Sequence, residues 1–448
     1  MKDRIINKLY KFALGRVIVK TLVKVKRKLR GKSLTPVVQQ VTTEAPQQPV
    51  ISILPQKKQQ LPVEVLYRDT GNPVHAIPTV VTQEKVKRLN LVTDTIEPSS
   101  LLGGVATALI VATIFCEKND YELRIITRTA QPNAINYNRI IEQNQLKPPK
   151  QVTFFSDYGD NRNYEAKYKM DISADDIFFA TSWWSAEAIR KTTIRRRFFY
   201  IIQEVETFFY NYNGERLMCE HVMQNHDIDF IVNSHYLDEY FRKNDPNIAQ
   251  HSVFFEPAFS RNLFHPTEET RTGKHRLFFY GRPRNPRNLF NYGVNILDKA
   301  IQRGIIDTQE WEICFAGAYL DPVTFCDGTV SKNLGQMTWK EYASFLQTVD
   351  LALSLMYTPH PSYPPFDVAC SGGVVVTNKY LNKQEFPQSR NVLMAELTEE
   401  SLMKTLEEGI RLALDTETRK RNYEESTIPD SWEDTLEDTL RYMEDKTK

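Results

Sequence analysis

Two arginines stand five residues apart, Arg282 and Arg287, in the stretch FFYGRPRNPRN that runs from Phe278 to Asn288. An apolar run ends at Gly281 and a helix-like pattern follows. A guanidinium is a permanent cation whose fork matches phosphate oxygens bidentately. A helix N-terminus in the same place would add free N–H groups and a positive dipole end. A diphosphate ligand accounts for both cations, whereas a solvated loop would carry them without purpose. Gly103 and Gly104 follow an earlier apolar run, RLNLVTD. Without Cβ atoms their backbone can approach a ligand closely, although the full dinucleotide fingerprint is missing. Asp367 sits in PHPSYPPFDVACSGGVVVTN (Pro359–Asn378), where it opens a helix. Its carboxylate either accepts sugar hydroxyls or caps that helix. Glu204 and Glu206, at the end of YIIQEVE, are candidates to orient an acceptor hydroxyl or to act as a base, or are solvent-facing loop acids. Trp183 and Trp184 end another run, DIFFATSWW, where they are placed to stack on an acceptor sugar or to fill the core. The sequence Asp227-Ile228-Asp229 has the form of a metal-binding pair of acids, but it simply enters the strand DFIVNS, so no metal is expected.

The elements that must position these residues recur along the chain. Short β-branched and aromatic runs such as RLNLVTD, YELRIITRT, QVTFFSDY, RRFFYIIQE and DFIVNS alternate with helical segments. The alternation restarts after ETRTG with HRLFFYGR, EWEICFAGA, LALSLM, GGVVVTN and NVLMAEL. Strands buried on both faces, separated by helices, predict parallel α/β sheets. Thr338 and Glu341 have capping-box spacing and mark a helix start. Two doubly wound, Rossmann-like domains with a ligand cleft at the carboxyl ends of their strands is the expected architecture. At 448 residues the chain exceeds the size of one core, which fits two such domains. The boundaries are placed at 86–268 for the first domain and 269–425 for the second, with a C-terminal helix over 426–448 that packs back on the first.

The net charge of +1 conceals an asymmetry: residues 1–32 hold twelve cations against one acid, which leaves the rest at −10. A nucleic-acid role for the whole protein is therefore disfavoured. In the tail, Ile5, Leu9, Phe12, Ile18, Leu22, Val25 and Leu29 recur at helical spacing among lysines and arginines. Such a basic amphipathic helix lies on an anionic membrane surface; a solvated basic helix or a nucleic-acid arm is the plainer alternative. Residues 33–85 are rich in Gln, Pro, Val and Thr and are expected to be a flexible linker. No apolar run reaches the ~18 residues a span requires, and the interrupting cations argue against a cleaved signal peptide. Five cysteines, Cys116, Cys219, Cys314, Cys326 and Cys370, show no CxxC spacing and are expected to be buried thiols in a reducing cytosol.

Together these pieces resemble the GT-B nucleotide-sugar glycosyltransferases, the large family that includes the sucrose synthases, over roughly residues 88–440. There, a Gly-Arg strand end and a later Lys hold the donor diphosphate; Arg282 matches the Arg, and Arg287 stands at the Lys position. The family's glycine loop matches Gly103 and Gly104. Its strand glycine matches Gly317 in CFAGA, and its LG matches Leu334–Gly335, which makes Lys332, Gly335 and Gln336 nucleotide-side candidates. The second acid of its acidic pair matches Asp367 and is implied to bind ribose hydroxyls; the first would fall at Pro359 and is absent. His360, Ser362 and Tyr363 are left to line that part of the sugar pocket, and a 6-deoxy sugar suits a less polar wall. SWEDTLEDTL (Ser431–Leu440) resembles the family's closing helix. The nearer resemblance is to the bacterial rhamnosyltransferases of the WsaF type, carried by NLVTDTIEPSSLLGGVATAL and HPSYPPFDVACSGG. It implies transfer of L-rhamnose from dTDP-L-rhamnose to a glycan or lipid-linked glycan, without metal and with retention; the basic tail of residues 1–32 would hold such a cytoplasmic enzyme on the inner face of the bacterial membrane. A UDP- or GDP-sugar donor, or a binding scaffold that has lost catalysis, stays open, because base contacts are often made by backbone and the first acid is missing.

Overall fold

The structure is a computed structural model that describes residues 74–448, apart from Leu102, 157–168, 193–195, 268–271 and Ala318. The expected basic helix of residues 1–32, the expected linker up to residue 73 and part of the ETRTG boundary lie outside the described residues.

The first domain is built on seven parallel strands in the order β4-β3-β2-β6-β7-β8-β9. A short β1 (Thr79–Val81) precedes them and pairs with β5 (Met170–Ile172) in a separate two-stranded sheet. The seven are β2 (Arg88–Thr93), β3 (Glu122–Thr127), β4 (Val152–Ser156), β6 (Ile177–Ala180), β7 (Phe198–Ile202), β8 (Ile228–Asn233) and β9 (Ser252–Phe255). Residues 74–85 are thus not the end of a loose linker: Ile77 is buried against the second core of this domain and β1 adds ladder bonds. β2, β6, β7 and β8 are buried along their whole lengths, and in β6 and β7 the sequence accordingly runs apolar without alternation, while β2 and β8 carry polar residues such as Asn90 and Asp229 into that burial. The connecting helices are α1 (Gly104–Asn119), α2 (Ala134–Gln143), α3 (Trp183–Arg190), α4 (Gly214–Met223), α5 (His235–Asn244) and α6 (Pro246–Gln250). α1 carries no polar face because eleven consecutive residues, Ala106–Cys116, are buried over the sheet.

The second domain repeats the plan with six parallel strands in the order β12-β11-β10-β13-β14-β15. These are β10 (His275–Tyr280), β11 (Trp311–Ala316), β12 (Lys332–Gly335), β13 (Leu351–Ser354), β14 (Val374–Asn378) and β15 (Val392–Ala395). Its helices are α7 (Phe290–Gln302), α8 (Trp339–Leu346), α9 (Pro364–Cys370), α10 (Glu399–Leu414) and α11 (Thr416–Glu424). The Thr338–Glu341 capping box is present at the start of α8. The chain then returns: in α12 (Trp432–Thr435) and α13 (Glu437–Thr447), Trp432, Leu436, Leu440 and Met443 join the core of the first domain. Leu436 and Met443 are fully buried there, each worth about 2 kcal/mol of transfer free energy.

Charges at the amino ends of β2 and β3 are neutralised away from the strand carboxyl ends. Arg88 bonds both oxygens of Asp176 at 3.0 and 2.9 Å, and Arg124 bonds Asp171. Asp229 belongs to another structural pair: its buried carboxylate meets Arg197 at 2.6 Å and the Tyr442 hydroxyl at 3.1 Å. Of the five cysteines, four are buried as expected, but Cys326 is exposed. It lies in the turn after β11, where its N–H donates to Asp298 at 2.7 Å rather than facing the core.

Candidate active site

The carboxyl ends of the two sheets face one cavity of about 470 Å³. The second domain contributes its most basic wall. β10 ends at Tyr280, and Arg282 begins a loop fixed by its own N–H, which donates to Asn288 Oδ1 at 2.6 Å. Asn288 is fully enclosed and in turn donates to the Leu355 carbonyl at 3.4 Å. Asn285 accepts from the Arg287 N–H at 3.2 Å and caps the short turn Pro286–Asn288. Both guanidinium groups therefore issue from a tied loop and line the cavity. Arg282 is exposed and makes no ion pair among the described residues.

Gly317 explains how the ends of β10 and β11 come so close. Its φ is +142°, and a Cβ there would stand 2.0 Å from the Gly281 carbonyl oxygen. Only glycine meets both conditions. Gly317 donates its N–H to the Gly335 carbonyl at 3.0 Å, and Gly335 and Gln336 complete this wall. Asp367 lies in the first turn of α9, whose opening has no side-chain cap, so the carboxyl is not spent on capping. It lines the cavity, accepts from the Tyr342 hydroxyl at 3.3 Å, and burial holds it well above the usual carboxylate range.

The loop between β13 and α9 supplies His360, Ser362 and Tyr363. His360 Nδ1 accepts from the Ser362 N–H at 3.0 Å, which assigns the ring proton to Nε2. Burial, with Lys383 and Arg287 nearby, pushes its pKa down to about 3. The imidazole is thus neutral, and its buried Nε2–H has no partner among the described residues. Tyr363 turns its hydroxyl to the other domain, where it contacts Thr107 Oγ1 at 2.7 Å and accepts from Asn233 Nδ2 at 2.7 Å.

The first domain contributes Gly103, Gly104, Glu204 and Glu206. A Cβ on Gly103 would meet nothing within 4 Å, so its missing side chain leaves cavity space at the start of α1. Gly104 is crossed by Gln203, whose Nε2 donates to the Gly104 carbonyl at 2.6 Å. Glu204 is ion-paired with Arg287 and accepts from the Thr358 hydroxyl and from the Val205 N–H at 3.0 Å. Glu206 accepts from the Trp183 N–H at 2.9 Å, and burial pushes its pKa up to about 7.

Two family models match this chain: the N-terminal domain of WsaF over residues 88–234 and the C-terminal domain of WsaF over residues 275–407. The chain belongs to the WsaF family. Its two facing parallel-sheet domains have the fold of the GT-B glycosyltransferases, as two solved structures illustrate. Sucrose-phosphate synthase from Thermosynechococcus elongatus superposes with a TM-score of 0.56 at 14% identity, over 80% of this chain and 98% of that one. A point mutant of TarM from S. aureus, solved in complex with Fondaparinux, alpha-GlcNAc-glycerol and UDP, gives 0.56 at 9% identity, over 80% of this chain and 99% of that one. A relative by sequence is the O-antigen biosynthesis protein RfbC of Myxococcus xanthus, 29% identical over 248 residues. That match spans 53% of this chain but 18% of RfbC.

Within this WsaF-family chain, three of the residues singled out in the sequence stand elsewhere. Trp183 and Trp184 do not end a strand at the cleft edge. Ser182 and Ser185 form a capping box that starts α3 at Trp183, which is 1% exposed and donates through Nε1 to Tyr210 at 2.7 Å. Trp184 packs on Trp183 and Tyr210. Neither lines the cavity, because the helix cap turns both rings into the sheet's outer packing. Lys332 begins the edge strand β12, is exposed and pairs with Glu312 at 3.2 Å, away from the cavity. The sequence reading in turn missed Gln203, Thr358 and Tyr342. Gln203 adjoins Glu204 and Thr358 adjoins the proline-rich loop, so proximity to a flagged motif was the signal. Tyr342 had only its helix position on α8.

Proposed function

We propose that this protein is a glycosyltransferase that moves a sugar from a nucleoside-diphosphate donor to a hydroxyl of a growing surface glycan. The observation that carries the reading is Arg282: a guanidinium with no ion pair among the described residues, on a tied loop, at the strand end of a cleft whose far wall is the glycine-opened start of α1. Arg282 and Arg287 would neutralise the charge that builds on the departing diphosphate. Asp367 would accept ribose hydroxyls, and the Nε2–H of neutral His360 would donate to a sugar oxygen. Glu206 would orient the acceptor hydroxyl. Transfer proceeds without a divalent metal and with retention, the donor phosphate helping to deprotonate the acceptor. The donor we propose is dTDP-L-rhamnose, because neutral His360 and Tyr363 leave no acid where a 6-hydroxyl would be held. The UDP bound to TarM favours a UDP-sugar as the second reading.

Calorimetric titration with dTDP, UDP and GDP tests the site, beside an Arg282→Ala variant. We expect dTDP to bind the wild type, and the variant to bind about 10- to 100-fold more weakly, the worth of one charge-assisted bond. Preference for UDP would discard rhamnose and keep the transferase; binding of all three unchanged in the variant would sink the assignment. The lipid-linked acceptor and a station on the membrane's inner face rest on the basic residues 1–32. Deleting them should abolish co-sedimentation with anionic liposomes, and unchanged co-sedimentation refutes that part.

A further inference from the structure

The two arginines of the cleft differ in what they face. Arg282 is exposed and unpaired among the described residues, whereas Arg287 is 10% exposed and already has a counter-ion, the carboxylate of Glu204, itself 11% exposed. Glu204 is held from behind: Thr358 donates its hydroxyl to the same oxygen that accepts the Val205 N–H at 3.0 Å. The ring of Phe209 covers the Arg287 guanidinium at 3.8 Å. Glu204 and Phe209 come from the first domain, Arg287 and Thr358 from the second, and Glu204, Phe209 and Arg287 all line the cavity. A carboxylate so fixed is poorly placed to take up a proton from an acceptor, since both of its oxygens are occupied. It is well placed to subtract charge from one of the two cations that a diphosphate would meet.

We infer that Glu204 is a built-in counter-anion that tempers the hold of Arg287 on a bound diphosphate, so that the spent nucleoside diphosphate is released rather than trapped. The inference rests on the reading of the cleft as a nucleotide-sugar site. Two unneutralised arginines would bind the diphosphate most tightly after bond cleavage, when its charge is fully formed. That is the state an enzyme gains nothing by stabilising. Glu204 repels the diphosphate and attracts Arg287 at once. It is a positioning residue that touches no reacting atom: its charge acts on Arg287, its ion-pair partner, and on the diphosphate alike.

The test is the affinity of the full chain for UDP and dTDP, by calorimetry, in the wild type, Glu204→Gln, Arg287→Gln and the double variant. A unit charge within roughly 10 Å of the ligand at an effective dielectric near 20 corresponds to about a tenfold change. Glu204→Gln should therefore bind the nucleoside diphosphate about tenfold more tightly than the wild type, with slower dissociation in a stopped-flow chase. A gain in affinity is something the loss of a merely structural contact does not produce. Should Glu204→Gln alone fail to fold, the comparison of the double variant with Arg287→Gln carries the test, because there the freed carboxylate is removed: the double variant should bind more tightly. Equal or weaker binding in these comparisons overturns the inference and leaves the site reading standing. A wild-type chain that binds no nucleoside diphosphate overturns both.

Discussion

Glu204 and Glu206 are separated by one residue and meet different fates. Burial raises both, but Glu204 is ion-paired with Arg287, while Glu206 accepts from the Trp183 N–H, has no ion pair among the described residues and is pushed up to about 7 from an ordinary 4.5. If Glu206 must be ionised to orient the acceptor, turnover should fall as pH drops through about 7. Stability should run the other way. A carboxyl raised in the folded state stabilises it fully below its unfolded value and ceases to do so as pH rises through the folded value. The loss between pH 4.5 and about 7 is at most about 3 kcal/mol. Glu206→Gln should flatten both profiles, read as initial rates and denaturant midpoints between pH 5 and 8; a rate profile that keeps its shape in the variant removes Glu206 from the reaction. At this scale the sequence was legible where type and local order put a residue at the cavity, as with Arg282 after Gly281 and Asp367 in the first turn of α9. It was illegible where a partner 83 residues away decides the role, as for Glu204, or where a helix cap rotates a side chain, as for Trp183.

The strands were readable because burial on both faces leaves an unbroken apolar run, as in β6 and β7. β1 was not, since three half-exposed residues with a partner strand about ninety positions away carry no periodicity. Lys332 was misplaced for a related reason: an edge strand turns alternate side chains outward, and its neighbour Glu312 captured the ammonium. The element that matters most to the cleft is the Gly281–Gly317 crossing. Gly317→Ala would put a Cβ into the Gly281 carbonyl at a φ that L-residues rarely adopt. We expect a loss of at least about 2 kcal/mol in chemical denaturation, the range of backbone strain combined with overpacking. We also expect weakened nucleotide binding, because β10 and the Arg282 loop must part from β11. A variant as stable as the wild type would show that the crossing can relax, and that the glycine is not what sets the cleft.

Across the whole molecule, the two domains are joined at the cleft by polar contacts from both sides. Tyr363 reaches Thr107 and Asn233, Arg287 meets Glu204, and Trp339 Nε1 donates to the Leu101 carbonyl at 3.1 Å. The two-domain plan was legible from the restart of strand–helix alternation, but which side chains span the domains was not, since those contacts join residues more than eighty positions apart. The return of the chain has a consequence for biogenesis. Leu436 and Met443 seal the core that Phe255 and α1 begin. During translation the first domain leaves the ribosome long before that seal exists, and its uncovered patch must wait through the synthesis of the entire second domain. The domain made first therefore has to wait for the second: nascent chains that stop short of residue 436 share an open apolar seam where Leu436 and Met443 would lie.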